Sequence, residues 1–163
     1  MNILFLTPRD SKRNLGGVEG HVRLLTEELE RRGHRVKELS LDEVAGLYKG
    51  QAFKYKGRAL GYKLRAWKYL WNKRELFKWA EVIHIHDVFW WYAPFAVINK
   101  GQAFKTTIFT TFHGWEGVCP PSLSAVVQKR LASFLSDGTI GVGKFFKKWY
   151  GVKTDKTVWG VLD

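Results

Sequence analysis

Three residues in the middle of the chain combine imidazole and carboxylate chemistry at close spacing. The stretch EVIHIHD, residues 81–87, alternates as a strand does, so His84 and His86 share one face. Together with Asp87 they are conceivable metal ligands, but a metal site needs a third ligand and an open coordination position. His86 and Asp87 end the strand, where open α/β sheets bind ligands, so we predict cleft contacts for both. His84 lies deeper, and we predict a hydrogen-bonded core residue.

Two consecutive glycines, Gly16 and Gly17, stand between an apolar run and an amphipathic segment. Glycines just before a helix let the backbone approach a ligand closely, while unpaired N–H groups and the helix dipole favour an anion. The spacing matches neither the dinucleotide fingerprint nor the P-loop. A phosphate-bearing ligand of another class is therefore predicted here, with a simple turn as the alternative. Arg9, Lys12 and Arg13 in the same loop either attract anions or are solvated.

The segments around these residues alternate between strand and helix. Short apolar or alternating runs predict strands at 2–7, 34–41, 81–86, 106–112 and 138–142. Residues 156–161 form either a last strand or a segment that leaves the domain. One helix is predicted from apolar residues at helical spacing, Val18, Val22, Leu25 and Leu29, with Gly33 as its left-handed cap. A second helix is predicted at 122–135, and the alternation predicts an α/β fold with a Rossmann-like, doubly wound parallel sheet.

Length and composition predict one domain spanning residues 1–163. The 163 residues are 45% hydrophobic with only four prolines, which is typical of a folded globule. The lone cysteine, Cys119, excludes an internal disulfide, and the first residues do not have the order of a signal peptide. No apolar run approaches the ~18 residues of a membrane span. These features predict a cytoplasmic location.

The net charge of +12 is concentrated in one segment. Residues 49–79 contain ten Lys or Arg residues against one acid, Glu75, and therefore carry +9. Within this segment, residues 59–79 read as a basic amphipathic helix, with an apolar stripe of Leu60, Leu64, Trp67 and Trp71. Either the tryptophans pack on the core, or the helix binds an anionic membrane surface or a lipid-linked acceptor through Arg65, Lys68 and Lys73. Nucleic acid is a weaker alternative, because no nucleic-acid-binding signature accompanies the segment.

Four motifs in order resemble one enzyme family: GGVEGHVRLLTEELERRGHRV, EVIHIHD, TTFHG and DGTIGVGKFFKKWYG. The combination is similar to the amino-terminal half of retaining glycosyltransferases of family 4, which have the GT-B fold. In that fold two Rossmann-like domains face each other across a cleft, the first holding mainly the acceptor and the second the nucleotide-sugar. The resemblance implies the first domain alone, without the donor-binding domain and therefore inactive by itself.

The resemblance assigns roles to residues on both sides of the cleft. It implies that Gly16 and Gly17 approach the diphosphate of a nucleoside-diphosphate sugar. His113, in TTFHG, would contact the donor sugar near the reacting centre, and Gly114 would permit close approach.

The remaining assignments concern the acceptor and the cofactors. Glu19 and His21, near the start of the first helix, would face the cleft or the sheet edge, beside His86 and Asp87. The family characteristically needs no metal or other cofactor, so none is expected here. The alternative function is a non-catalytic module that uses its basic aromatic surface to bind nucleic acid or anionic lipid.

Overall fold

A computed structural model describes residues 1–14, 16–41, 59–100, 106–114 and 120–159 of the chain. Six strands form one all-parallel sheet: β1 (Asn2–Thr7), β2 (Arg35–Ser40), β3 (Val82–His86), β4 (Thr107–Phe112), β5 (Gly138–Val142) and β6 (Lys156–Val158). Six helices lie in the described residues: α1 (Gly17–Arg31), α2 (Ala59–Asn72), α3 (Arg74–Trp79), α4 (Phe89–Lys100), α5 (Leu123–Leu135) and α6 (Phe145–Tyr150). The predicted α/β fold is confirmed.

The strand order is β2-β1-β3-β4-β5-β6. The chain moves from β1 to one side to form β2, and then crosses back to place β3 on the other side of β1. Because the direction of winding reverses between β1 and β3, the carboxyl ends of these two strands border the crevice at the topological switch point.

Alternate residues along the strands enter two apolar layers. On one face Ile3 and Phe5 of β1 pack with Val22 of α1. On the other face Leu4 and Leu6 join the larger core, which is completed by residues of the other five helices. The sheet is therefore covered on both faces, as the doubly wound prediction required.

The first helix forms as its sequence predicts. Its apolar residues Val18, Val22, Leu25 and Leu29 belong to the smaller core. It is followed by Gly33, whose φ of 82° is left-handed, and the N–H of His34 donates to the carbonyl of Leu29 at 3.0 Å. The prediction of a glycine cap at this position is confirmed.

Residues 156–158 form β6, so of the two alternatives for this segment the strand is observed. Two helices were not predicted, α4 and α6. In α4 apolar residues cover nearly every position and Pro94 lies inside the helix, so the amphipathic spacing that identifies a helix is absent. In α6 only six residues are helical, too few for a periodic signal.

The predicted helix at 59–79 is divided at Lys73 into α2 and α3. Ala66 and Leu70 of α2 are buried, whereas Leu64 and Trp71 are 53% and 54% exposed. The predicted apolar stripe is therefore wrong for Leu64, whereas the ring of the half-exposed Trp71 lies 6.1 Å from that of the buried Phe95. The side chain of Leu60 lies outside the described residues.

No helix in the described part of the chain is both long enough and apolar enough to span a membrane.

Candidate functional site

The candidate site lies along the carboxyl edge of the sheet at the switch point. Gly16 and Gly17 follow the loop after β1, Asp87 follows β3, and His113 and Gly114 follow β4. Parallel pairing brings these strand ends together, since His86 is in register with Thr111, two residues before His113. Most of the residues predicted for the cleft therefore share one edge.

The loop after β1 is held by a carboxylate from β2. Glu38 accepts hydrogen bonds from the Thr7 hydroxyl at 2.7 Å, from the Ser11 N–H at 2.9 Å, and from the Ser11 hydroxyl. Sequence reasoning missed Glu38, because an acid in an alternating strand usually marks a solvent-facing position. Of the three basic loop residues, Arg13 pairs with Asp10 at 3.3 Å.

The absence of a side chain has a different structural consequence at Gly16 and at Gly17. Gly16 is the N-cap of α1 in extended backbone, and a Cβ there would collide with Oε2 of Glu19. Glu19 is only 6% exposed, so its carboxylate is packed against Gly16. A Cβ at Gly17 would meet no atom within 4 Å, and the first N–H groups of a helix have no partner within the helix. The open space beside Gly17 is therefore available to a ligand.

Three imidazoles converge beside this helix end. Nδ1 of His86 and Nε2 of His113 are 2.8 Å apart, a hydrogen bond. The ring of His21, on α1, lies 5.1 Å from that of His113 and 6.0 Å from that of His86, measured between centroids. The structure thus brings His21 into contact distance of His113, and His86 beneath both. Like Gly17, Gly114 beside this cluster has open space where a Cβ would be.

His84 continues the row of imidazoles into the core. Its Nε2 is 2.7 Å from the hydroxyl oxygen of Thr111, and its ring centroid is 4.3 Å from that of His86. The ring of Phe5 packs edge-on against both histidines. The predictions that His84 and His86 share a face, and that His84 is a hydrogen-bonded core residue, are confirmed.

Burial keeps these histidines neutral at physiological pH. Burial lowers the pKa of His113 to about 4, with smaller contributions from the positive charges of His21 and Lys129. It lowers the pKa of His84 to about 3, with smaller contributions from those of His113 and His21. Burial also lowers the pKa of His21, and that of His86 well below its ordinary value. Neutral imidazoles each carry one donor and one acceptor nitrogen, so the cluster offers hydrogen bonds rather than positive charge.

The same three imidazoles form a possible metal-ligand set. His21, His86 and His113 each bring a ring nitrogen within 4.8 Å of the others, and three neutral imidazoles are a donor set that suits Zn²⁺. Of the three ligands considered from the sequence, only His86 belongs to this set; His84 and Asp87 do not. The bond between His86 and His113 competes with a metal, because it occupies one nitrogen of each ring.

Asp87 orients the backbone that carries His113. Both of its carboxylate oxygens accept the N–H of His113 at 3.1 Å, and its own N–H donates to Thr111 at 3.1 Å. Its φ of 57° is left-handed, which is uncommon for a residue other than glycine. Asp87 thereby links the ends of β3 and β4.

A pocket opens on the other side of Asp87. It lies between α4 and α5 and is lined by Phe89, Trp90, Phe112, Gln128 and Lys129. The ammonium of Lys129 is 3.9 Å from the Asp87 carboxylate and 5.1 Å from the centre of the Tyr150 ring. Sequence reasoning missed this pocket, because its walls come from a helix that was not predicted and from the polar face of another.

The three basic residues predicted to bind an anionic partner lie on α2 and at its end. Arg65 and Lys68 belong to α2, Lys73 lies between α2 and α3, and all three are exposed. Lys68 is four residues after Leu64 and three before Trp71, so these exposed side chains share one face of α2.

We predict that the folded chain loses stability as the pH falls from about 6.5 towards 4. The folded pKa of His84 and His113 lies below the unfolded value of 6.5, so the unfolded chain binds more protons in this window. Each such histidine then lowers the free energy of unfolding by about 1.4 kcal/mol per pH unit, while above pH 6.5 its contribution is fully retained. Urea unfolding at pH 7, 6 and 5 measures this slope. His84→Leu should reduce the slope, and a flat profile in the unmodified chain would contradict the burial of neutral histidines.

Comparison with known protein families identifies the family of the chain. The family model for Glycosyltransferase Family 4 matches residues 15–155, which include Gly16 and Gly17, the imidazole cluster and the pocket. No curated protein matches the chain at a significant level. The matched region spans most of the chain and ends in the last turn before β6. The chain therefore belongs to glycosyltransferase family 4.

Proposed function

We propose that the chain is the acceptor-side domain of a retaining glycosyltransferase. Such an enzyme moves a sugar from a nucleoside-diphosphate sugar to an acceptor hydroxyl, and the second wall of its cleft is a donor-binding domain. One observation carries the proposal: the open helix end at Gly17 and the hydrogen-bonded His113 meet at the switch-point edge of the sheet.

The helix end suits the diphosphate of the donor. When the sugar leaves, negative charge develops on the diphosphate, and N–H groups that are already oriented stabilise that charge without reorganisation. The first N–H groups of a helix have no partner within the helix, and the space that a Cβ at Gly17 would occupy is open. Glu38 anchors the preceding loop through Thr7 and Ser11, so the loop approaches the ligand in one shape.

The pocket beside Asp87 suits the acceptor. Trp90 and Phe112 offer aromatic surface, while Gln128, Lys129 and Asp87 offer hydrogen-bonding groups, the combination that orients polar ligands with partly apolar faces. Because Asp87 also holds the backbone of His113, an acceptor in this pocket lies next to the reacting centre. Alignment of acceptor with donor is the second requirement of group transfer.

Titration of the ¹⁵N-labelled chain with a panel of nucleoside-diphosphate sugars tests the proposal. We expect weak binding in which the amide signals of Gly16, Gly17 and Gly114 shift and that of His34, at the opposite edge, does not. We also expect no sugar transfer by the chain alone to candidate acceptors, because these residues form one wall of the cleft. Sustained turnover by the chain alone, or shifts confined to other surfaces, would contradict the two-domain proposal.

We further propose that the outer face of α2 binds an anionic membrane surface, which would bring the enzyme to a lipid-linked acceptor. Leu64 and Trp71 are more than half exposed, and Arg65 and Lys68 are exposed beside them. Exposed apolar and basic side chains on one helix are the pattern of interfacial binding.

Co-sedimentation with lipid vesicles measures this binding. We expect binding to anionic vesicles and not to neutral ones, since each basic residue near such a surface contributes on the order of 1 kcal/mol. Replacing Arg65, Lys68 and Lys73 by Gln together should lower partitioning by about 3 kcal/mol, more than a hundredfold. Raising the ionic strength from 0.1 M to 1 M shortens the screening length from about 10 Å to about 3 Å and should release the protein.

A matched control distinguishes the effect of this face on vesicle binding from the effect of net charge. Lys147, Lys153 and Lys156 are also exposed, and their replacement by Gln makes the same change in net charge elsewhere on the surface. Equal loss of binding in both triple variants would contradict a specific face. Tighter binding to nucleic acid than to vesicles would favour the non-catalytic module instead.

A further inference from the structure

The hydrogen bond between His86 and His113 has two possible directions. Either Nδ1–H of His86 donates to Nε2 of His113, or Nε2–H of His113 donates to Nδ1 of His86. A hydrogen bond between two ring nitrogens requires that one carries the proton and the other accepts it through its lone pair. A neutral imidazole carries a single proton, so the choice for one ring determines the choice for the other.

The second nitrogen of His86 decides between the two directions. His86 is 0% exposed, and its Nε2 is buried without a hydrogen-bond partner among the described residues. If the proton of His86 were on Nε2, this would be a buried N–H with no acceptor, which folded proteins rarely tolerate and which costs about 1–3 kcal/mol. An unprotonated nitrogen at the same place is the less costly arrangement. The proton of His86 therefore belongs on Nδ1.

We infer that His86 is a positioning residue: it donates Nδ1–H to Nε2 of His113 and so fixes His113 in the tautomer that carries its proton on Nδ1. His113 then meets a ligand as a hydrogen-bond donor through Nδ1, and its Nε2 is not available as a base. The identity of the ligand oxygen that accepts this bond rests on the function proposed above, whereas the tautomer of His113 does not.

The inferred tautomer also disfavours a metal at the three imidazoles. To bind a metal through Nδ1, His86 would have to move its proton to the buried Nε2, which has no acceptor among the described residues. Histidines that bind metals almost always donate their other N–H to a carboxylate, a carbonyl or water. In the described part of the chain, His86 has no such second partner.

Nitrogen NMR of the histidine rings tests the inference directly on the whole chain, because protonated and unprotonated ring nitrogens resonate far apart. At pH 7 we expect both His86 and His113 with protonated Nδ1 and unprotonated Nε2. A protonated Nε2 on either ring would overturn the inference.

Two substitutions separate the hydrogen bond from packing. His86→Asn keeps an N–H donor near the position of Nδ1, and His113 should remain protonated on Nδ1. His86→Leu removes the donor, and His113 should change to the Nε2–H form that imidazole prefers in water. If His113 keeps Nδ1–H in both variants, His86 does not determine its tautomer. If the Leu variant fails to fold, the wild-type spectrum and the Asn variant still decide the question.

Zinc addition and kinetics complete the test. One equivalent of Zn²⁺ should leave the ring signals in place; stoichiometric shifts of His21, His86 and His113 together would identify a metal centre and overturn the inference. In the active enzyme, His86→Leu should lower kcat on the order of tenfold with a smaller change in KM, and His86→Asn should recover most of the loss. A confirmed tautomer with unchanged kinetics would contradict the proposed role of His113 in transfer, not its tautomer.

Discussion

In the active enzyme, His113→Ala lowers kcat and kcat/KM together by about 10²–10³-fold, the range for removing one oriented donor from a transition state. His113 is at the carboxyl end of β4, its backbone held by Asp87 and its ring by His86. A group held from two sides is oriented before the ligand arrives, so its loss is felt mainly in the transition state. Steady-state kinetics with the natural donor and acceptor measure both constants.

The same substitution has a structural cost that must be measured beside the kinetics. Removing the ring leaves Nδ1 of His86 unpartnered, which we expect to lower the free energy of unfolding by about 1–3 kcal/mol. His84→Ala is the matched control, because it also removes a buried imidazole from the same row and leaves the Thr111 hydroxyl unpaired. The control should be destabilised to a similar degree and keep most of its kcat. Equal kinetic losses in both variants would mean that His113 has only a structural role.

Gly17→Val should weaken binding of the donor at least tenfold, about 1.4 kcal/mol, without lowering the Tm. The space beside Gly17 is open in the structure, so the new side chain meets no protein atom. Within a helix valine is also more favourable than glycine. The side chain would instead fill the space through which the diphosphate reaches the N–H groups of the helix. Calorimetric titration of the active enzyme with its nucleoside-diphosphate sugar, and a thermal melt, measure the two quantities.

Gly20→Val provides the comparison for this prediction. Gly20 lies on the same helix, one turn further along, and a Cβ there also has open space. We expect donor affinity within about twofold of the wild type, because the effect of the helix end falls off within its first turn. If both variants bind donor normally, the diphosphate does not approach α1 at Gly17. A lower Tm for Gly17→Val, with an unchanged Tm for Gly20→Val, would show that the fold requires glycine at position 17.

The sequence was sufficient for most of the elements and for the edge on which the site lies. Local periodicity identified five strands, and an apolar stripe ending at a glycine identified α1. Alternation of strand and helix implied parallel pairing, which places every strand's carboxyl end at one edge. The positions of His86, Asp87 and His113 at that edge follow from this rule alone. Helix α4 escaped prediction because nearly all of its residues are apolar, so that no polar face marks its period.

Only the tertiary structure decided which of these residues touch. The bond between His86 and His113 joins positions 27 residues apart and depends on the register of β3 against β4, which no local pattern encodes. His21 joins the cluster because α1 packs on the same face of the sheet, and Glu38 anchors the glycine loop because β2 pairs with β1. The same holds for the exposed Leu64, whose helix is rotated by packing against the core. Periodicity is a property of neighbouring residues, whereas contacts between elements depend on how the whole chain packs.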